Sequence, residues 1–113
     1  MHELSVTQAL LSVVLEHAEK AGAKRVLAVD VRVGEISGVV DDSVRLYFEY
    51  LSRDTPAAGA RLRFTHVPAR LVCRSCGSEF EPGEGEWLCP QCGAIGGQII
   101  AGRELMVESI EVE

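Results

Sequence analysis

Two Cys-x-x-Cys pairs, CRSC at 73–76 and CPQC at 89–92, constrain this chain more than any other feature. In a reducing compartment, Cys73, Cys76, Cys89 and Cys92 read as a metal site rather than a disulfide framework. Two residues between cysteines allow a tight knuckle that turns both sulfurs inward and points backbone N–H groups at the thiolates. Gly77 and Gly93 follow the two pairs and suit the positive φ that such a turn demands. The twelve residues 77–88 give the chain room to leave and return. Four thiolates at about 2.3 Å are the ligand set of a tetrahedral zinc. They close the shell, and neither motif carries a Glu or His to act as a base, which marks the zinc as structural rather than catalytic.

Other readings of the knuckles stay open. The second, CPQCG, also fits a rubredoxin-like iron electron carrier, although such a carrier packs several aromatics around its metal and this segment offers only Phe80 and Trp87. Disulfide exchange needs one CxxC at a helix start, and the doubling argues against it. A zinc-ribbon interaction module is the remaining alternative. The net charge of −6 repels a phosphate backbone, so no nucleic acid is expected as a partner. No apolar run approaches the roughly 18 residues of a membrane span. Glu3 stands where a signal peptide would be basic. No membrane role is expected, and the expected compartment is the cytoplasm. A hydrophobic fraction of 47% in 113 residues suffices for one small domain with a lesser insert.

Periodicity arranges the rest. From about Leu4 to Ala21, the residues Val6, Leu10, Val13, His17 and Ala21 recur at helical steps, and Gly22 is the stop. Ala9, Val14 and Ala18 widen the stripe, and His17 reads as a packing residue on it. In RVLAVDVRVGE, 25–35, Leu27, Val29, Val31 and Val33 alternate with other residues, the period of a half-buried strand. A second helix is expected over 43–53, capped by Asp42 or Ser43, with Val44, Tyr47, Phe48 and Leu51 on its apolar face. A turn-rich connector, 54–60, leads to a strand at 60–68 with Leu62, Phe64 and His66 on one face, His66 again a packing residue. The last strand, 104–113, puts Met106, Glu108, Ile110 and Val112 on one face and Leu105, Val107, Ser109 and Glu111 on the other.

The expected fold class is therefore α+β: a three-stranded sheet with two helices packed on it, plus an inserted zinc-ribbon lobe. Residues 1–68, completed by 103–113, form one domain, and 69–102 form a zinc-ribbon domain inserted between the second and third strands. A sheet this small is marginal alone. Zinc binding, on the order of 10–16 kcal/mol in small peptides, is expected to fold the ribbon.

The chain opens MHE. An N-terminal amine, the next amide nitrogen and the His2 ring can close fused chelate rings about one ion. The amide must give up its proton, which points to Ni(II) or Cu(II), both at home in planar nitrogen-rich geometry. Glu3 can add a backbone nitrogen or a carboxylate. The plainer alternative makes His2 a solvated terminal residue and Glu3 a partner of the positive end of a helix macrodipole. The sequence has no nucleophile–base pair, phosphate-cradling glycine loop or open hydrolytic metal site, so no catalysis is expected.

MHE at 1–3, VGEIS at 33–37, the doubled knuckle, and GREL leading into SIEVE over 102–113 together resemble the HypA/HybF family. These are nickel metallochaperones for hydrogenase maturation, and the resemblance runs in order along essentially the whole chain. It implies Ni(II) as a transient cargo at the N-terminus and Zn(II) as a structural ion in the ribbon. It implies a hydrogenase-maturation GTPase and the hydrogenase large subunit as partners, and leaves self-association into a homodimer open. Carried over residue by residue, it nominates Met1, His2 and Glu3 as nickel ligands. It adds an acidic residue after the GEIS loop, Asp41, with Asp42 as the alternative. Both aspartates read equally as helix caps. Two departures stand out: no histidine lies beside the cysteine pairs, and Gln98 occupies a region where some members place a nickel-binding histidine.

Overall fold

The computed structural model describes residues 3–82 and 87–113. Helix α1 (Glu3–Lys20) leads into strand β1 (Val26–Gly34), helix α2 (Asp41–Leu51) and strand β2 (Arg61–Val67). Three short strands follow, β3 (Arg70–Val72), β4 (Glu79–Phe80) and β5 (Gln98–Ala101), and β6 (Leu105–Val112) closes the chain. The strands form two sheets, ordered β2-β1-β6 and β4-β3-β5. The fold class is α+β, with both helices on the first sheet and the four cysteines beside the second, consistent with a zinc-ribbon lobe.

β1 is the centre of the first sheet. It pairs parallel with β2 and antiparallel with β6. A parallel pair needs a crossover, and α2 supplies it. The helices cover one face: Leu10, Val14 and Ala18 of α1 and Val44 and Phe48 of α2 meet Val29, Val31, Val33 and Leu62 in a single core. Valine suits the central strand, because a branched Cβ packs well on a pleated surface. α1 ends in a Schellman turn. Gly22 adopts φ 64°, its N–H donates to the Glu19 carbonyl at 3.0 Å, and the Ala23 N–H donates to the Ala18 carbonyl at 2.9 Å.

Several expectations shift. The buried stripe of α1 is rotated toward Thr7, Leu11 and Leu15, while Val13 is 39% exposed and His17 lies on the surface. α1 packs against both α2 and β6, and this double contact turns it. Placed in the last turn, His17 instead faces solvent where a cation complements the macrodipole. In β1, Leu27 is exposed while Val26 is enclosed, because a bulge between Val26 and Ala28 breaks the alternation. In β6, Leu105, Val107 and Ile110 all pack on the core, whereas Met106 and Val112 are exposed. Here the register slips between Asp30–Ser109 and Val31–Val107, so Glu108 is an extra residue that flips the phase. α2 begins at Asp41, with Val40 as a cap that makes no side-chain hydrogen bond. Asp41 and Asp42 occupy its first turn and are not the cap. His66 is exposed rather than packed.

The second sheet has its own small core of Leu71, Cys73, Phe80 and Cys89, with Ala94 and Ile99 against it. The VGE and GREL segments join the two sheets. The N–H groups of Gly34, Glu35 and Ile36 donate to the carbonyls of Glu104, Val67 and Gly102 at 2.6, 2.9 and 2.7 Å. The Glu35 carboxylate accepts the Ala69 N–H at 3.0 Å. A Cβ on Gly34 would lie 2.1 Å from the Gly102 carbonyl oxygen, so only glycine allows this approach.

Candidate metal centres

The two knuckles fold alike. Cys73 donates its N–H to the Ser78 carbonyl, and Gly77 donates to the Cys73 carbonyl, each at 2.9 Å. The second knuckle repeats this with Cys89, Ala94 and Gly93, again at 2.9 Å. Gly77 and Gly93 share φ 76°, a conformation that strains any residue with a Cβ. The four sulfurs lie within 4.8 Å of one another, with Cys73–Cys92 and Cys76–Cys89 at 3.5 Å. Sulfurs about 2.3 Å from a tetrahedral ion stand about 3.8 Å apart, so the set fits such an ion with little movement. Among the described residues, no other cluster of three or more His, Cys, Asp or Glu converges in this way.

Electrostatics point the same way. The Ser78 hydroxyl and N–H pull the Cys76 thiol down to about 6, with help from the Cys89 sulfur. Backbone N–H groups of Cys76 and Ser75 lower Cys73. At Cys92 the Ala94 N–H favours the thiolate, but the surrounding sulfurs, Cys73 foremost, push the thiol up to about 12. Some sulfurs are thus ready to ionise while crowding holds a proton on another. A divalent cation placed among them would remove that conflict, and the four sulfurs could hold it as thiolates. A complete thiolate shell leaves no position for water, as in a structural site.

Of the residues nominated for nickel, Met1 and His2 lie outside the described residues. Glu3 is the first residue of α1, half-buried, and its carbonyl accepts the Thr7 hydroxyl at 2.6 Å. Asp41 opens α2. The topology brings both to one end of the first sheet. Val6 and Leu10 of α1 line a groove of about 480 Å³ with Leu105 and Val107. Leu105 pairs with Val33 near the end of β1, and Val33 pairs on its other side with His66. Asp41 lies one loop beyond that end of β1, and its Oδ2 stands 2.8 Å from His66 Nε2. Its Oδ1 is buried without a hydrogen-bond partner among the described residues. Asp42 is exposed.

Sequence reasoning places His66 on the core-facing side of its strand and assigns it to packing. It shares the face of Leu62 and Phe64 by alternation, but lies beyond Phe64, the last residue of that face packed on the large core. A polar side chain that ends an apolar run, at the same sheet end as an aspartate, is the signal that could have distinguished it.

Residues 1–112 match the family described as "Hydrogenase/urease nickel incorporation, metallochaperone, hypA". A hydrogenase maturation factor HypA of Geobacter metallireducens is 49% identical over 115 residues, covering 100% of both chains. One from Dehalococcoides mccartyi is 46% identical over 113 residues, covering 100% of this chain and 95% of the other. The solution structure of the Ni metallochaperone HypA from Helicobacter pylori is similar, with a TM-score of 0.72 and 28% identity over 99% of this chain and 97% of that one. A second solution structure, of a HypA protein, gives a TM-score of 0.77 and 28% identity over 100% of this chain and 97% of the other.

Proposed function

As the chain belongs to the HypA family of hydrogenase/urease nickel-incorporation metallochaperones, we propose that it binds Ni(II) at its N-terminus and delivers it during maturation of a nickel–iron hydrogenase. The amine of Met1, the amide and ring nitrogens of His2, and Glu3 supply the grip, and Asp41 adds a carboxylate. The observation that carries this reading is the MHE opening on a chain whose residues 1–112 match that family. Residues 1–68 with 103–113 act as the nickel-binding domain. Residues 69–102 act as a zinc ribbon, in which Cys73, Cys76, Cys89 and Cys92 hold a structural Zn(II).

A carrier must bind its ion and then release it. Amine, amide and imidazole nitrogens favour Ni(II) over harder cations, and Cu(II) more strongly still, so selectivity depends partly on metal supply. Protonation of the amine and ring, or a competing ligand on the recipient, dismantles the shell. A dissociation constant near micromolar, about −8 kcal/mol, is compatible with hand-off. The recipients are a maturation GTPase and the hydrogenase large subunit, which places the transfer in the cytoplasm.

Nickel titration of the zinc-loaded protein tests this reading. Native protein should take up a single Ni(II) per chain. His2→Ala, or one extra residue ahead of Met1, should abolish that uptake and leave the zinc in place. Unchanged uptake after acetylation of the terminus would overturn the reading.

A further inference from the structure

Asp41 and His66 come from separate elements, the first turn of α2 and the end of β2, and meet at 2.8 Å. The two oxygens of Asp41 have different surroundings. Oδ2 faces His66 Nε2, whereas Oδ1 is enclosed with no donor among the described residues. An enclosed carboxylate oxygen without a donor is costly, and a hydrogen-bond donor or a cation removes the cost. The imidazole is not there to fill the core, since the His66 side chain is 61% exposed and that of Asp41 26%. A polar contact this open adds little to stability. Its consequence is geometric: with its proton on Nε2, His66 pins one oxygen and thereby sets the carboxylate's rotation.

We infer that His66 is a positioning residue of the nickel site, holding Oδ2 of Asp41 so that Oδ1 is the oxygen presented to the ion. The inference rests on the N-terminal nickel reading and on Asp41 as a ligand. Its chemistry is general: carboxylates that bind metals are themselves hydrogen-bonded, and losing that outer partner typically weakens binding about 10–100-fold. One oxygen engaged by an imidazole leaves one for the metal, a single bond that a recipient site can displace.

The experiment is Ni(II) titration of zinc-loaded protein with its native N-terminus, comparing His66→Leu, His66→Gln, Asp41→Ala and the double variant Asp41→Ala/His66→Leu, with His2→Ala as reference. His66→Leu should weaken nickel binding about tenfold or more. His66→Gln, whose amide N–H reaches the same oxygen, should restore most of it. The double variant should bind no more weakly than Asp41→Ala alone, because His66 acts only through that carboxylate. Imidazole ¹⁵N shifts of the unaltered protein, which need no variant to fold, should show no metal–nitrogen bond at His66.

Unchanged affinity in His66→Leu, with binding lost in His2→Ala, would overturn the inference and leave the N-terminal reading standing. A metal-bound His66 ring would overturn it by making His66 a ligand. Full binding in His2→Ala would overturn both.

Discussion

At Asp30 the sequence offers only a polar residue on the outward face of a strand, and the structure gives it three donors. Arg63 donates from Nε at 2.7 Å and from Nη2 at 3.0 Å, and the Ser109 hydroxyl donates at 2.7 Å. Arg63 also reaches Glu111 at 2.8 Å. These bonds, Arg63 first and Ser109 next, hold the Asp30 carboxyl below the usual aspartate range. A carboxyl whose folded pKa is depressed stabilises the fold above its unfolded value of about 3.9, and that contribution is lost as pH falls through the folded value. The urea midpoint should therefore drop from about pH 5 to about pH 3, and Asp30→Asn should flatten the drop. An equal drop in Asp30→Asn would assign the effect to other carboxylates, of which Glu104 is the next candidate: its own N–H and that of Gly102 lower it. Cysteine spacing lies at the opposite extreme of legibility. Each CxxC with its following glycine is a closed local geometry, so Gly77 and Gly93 can be assigned positive φ from the chain alone.

At the scale of elements, both helices and all three long strands are legible, because their periods reflect burial of one face. Phase within them is less so. β6 reads as unbroken alternation, yet Leu105, Val107 and Ile110 share the core, since an extra residue at Glu108 exists only in relation to β1. The VGE and GREL segments carry no local signal of their role, and only the structure shows them joined. Gly34→Ala tests that joint. Its Cβ would meet backbone rather than a movable side chain, so the variant should lose about 1–3 kcal/mol or more of stability in denaturant melts. Gly38→Ala is the control: its Cβ meets open space, and only the strain of φ 75° applies, about 1–2 kcal/mol. Equal losses in the two variants would mean that the close approach at Gly34 carries no special weight.

The whole molecule is long and narrow, 54 × 24 × 17 Å. Its two sheets bury separate clusters, a large one under the helices and a small one around Leu71 and Phe80. The small cluster includes two of the cysteines, so a metal held by the sulfurs, as we propose, would be tied directly into it. Chelation of the metal should speed amide exchange across β3 and β5 while the amides of Val14 and Val31, deep in the large core, stay protected. Equal acceleration in both regions would show one cooperative unit instead. Among the described residues, no helix is long and apolar enough to cross a membrane.

The sequence alone determined the knuckle geometry, both helices, the three long strands and the family, because each rests on residues adjacent in the chain or on a repeating period; the three short strands of the second sheet came from the structure. The tertiary structure decided which way each element turns, where β1 and β6 slip, and that Asp41 meets His66 from 25 residues away. Those outcomes depend on contacts between segments remote in sequence. Burial energy summed over the whole core selects them, and no window of the chain contains that sum.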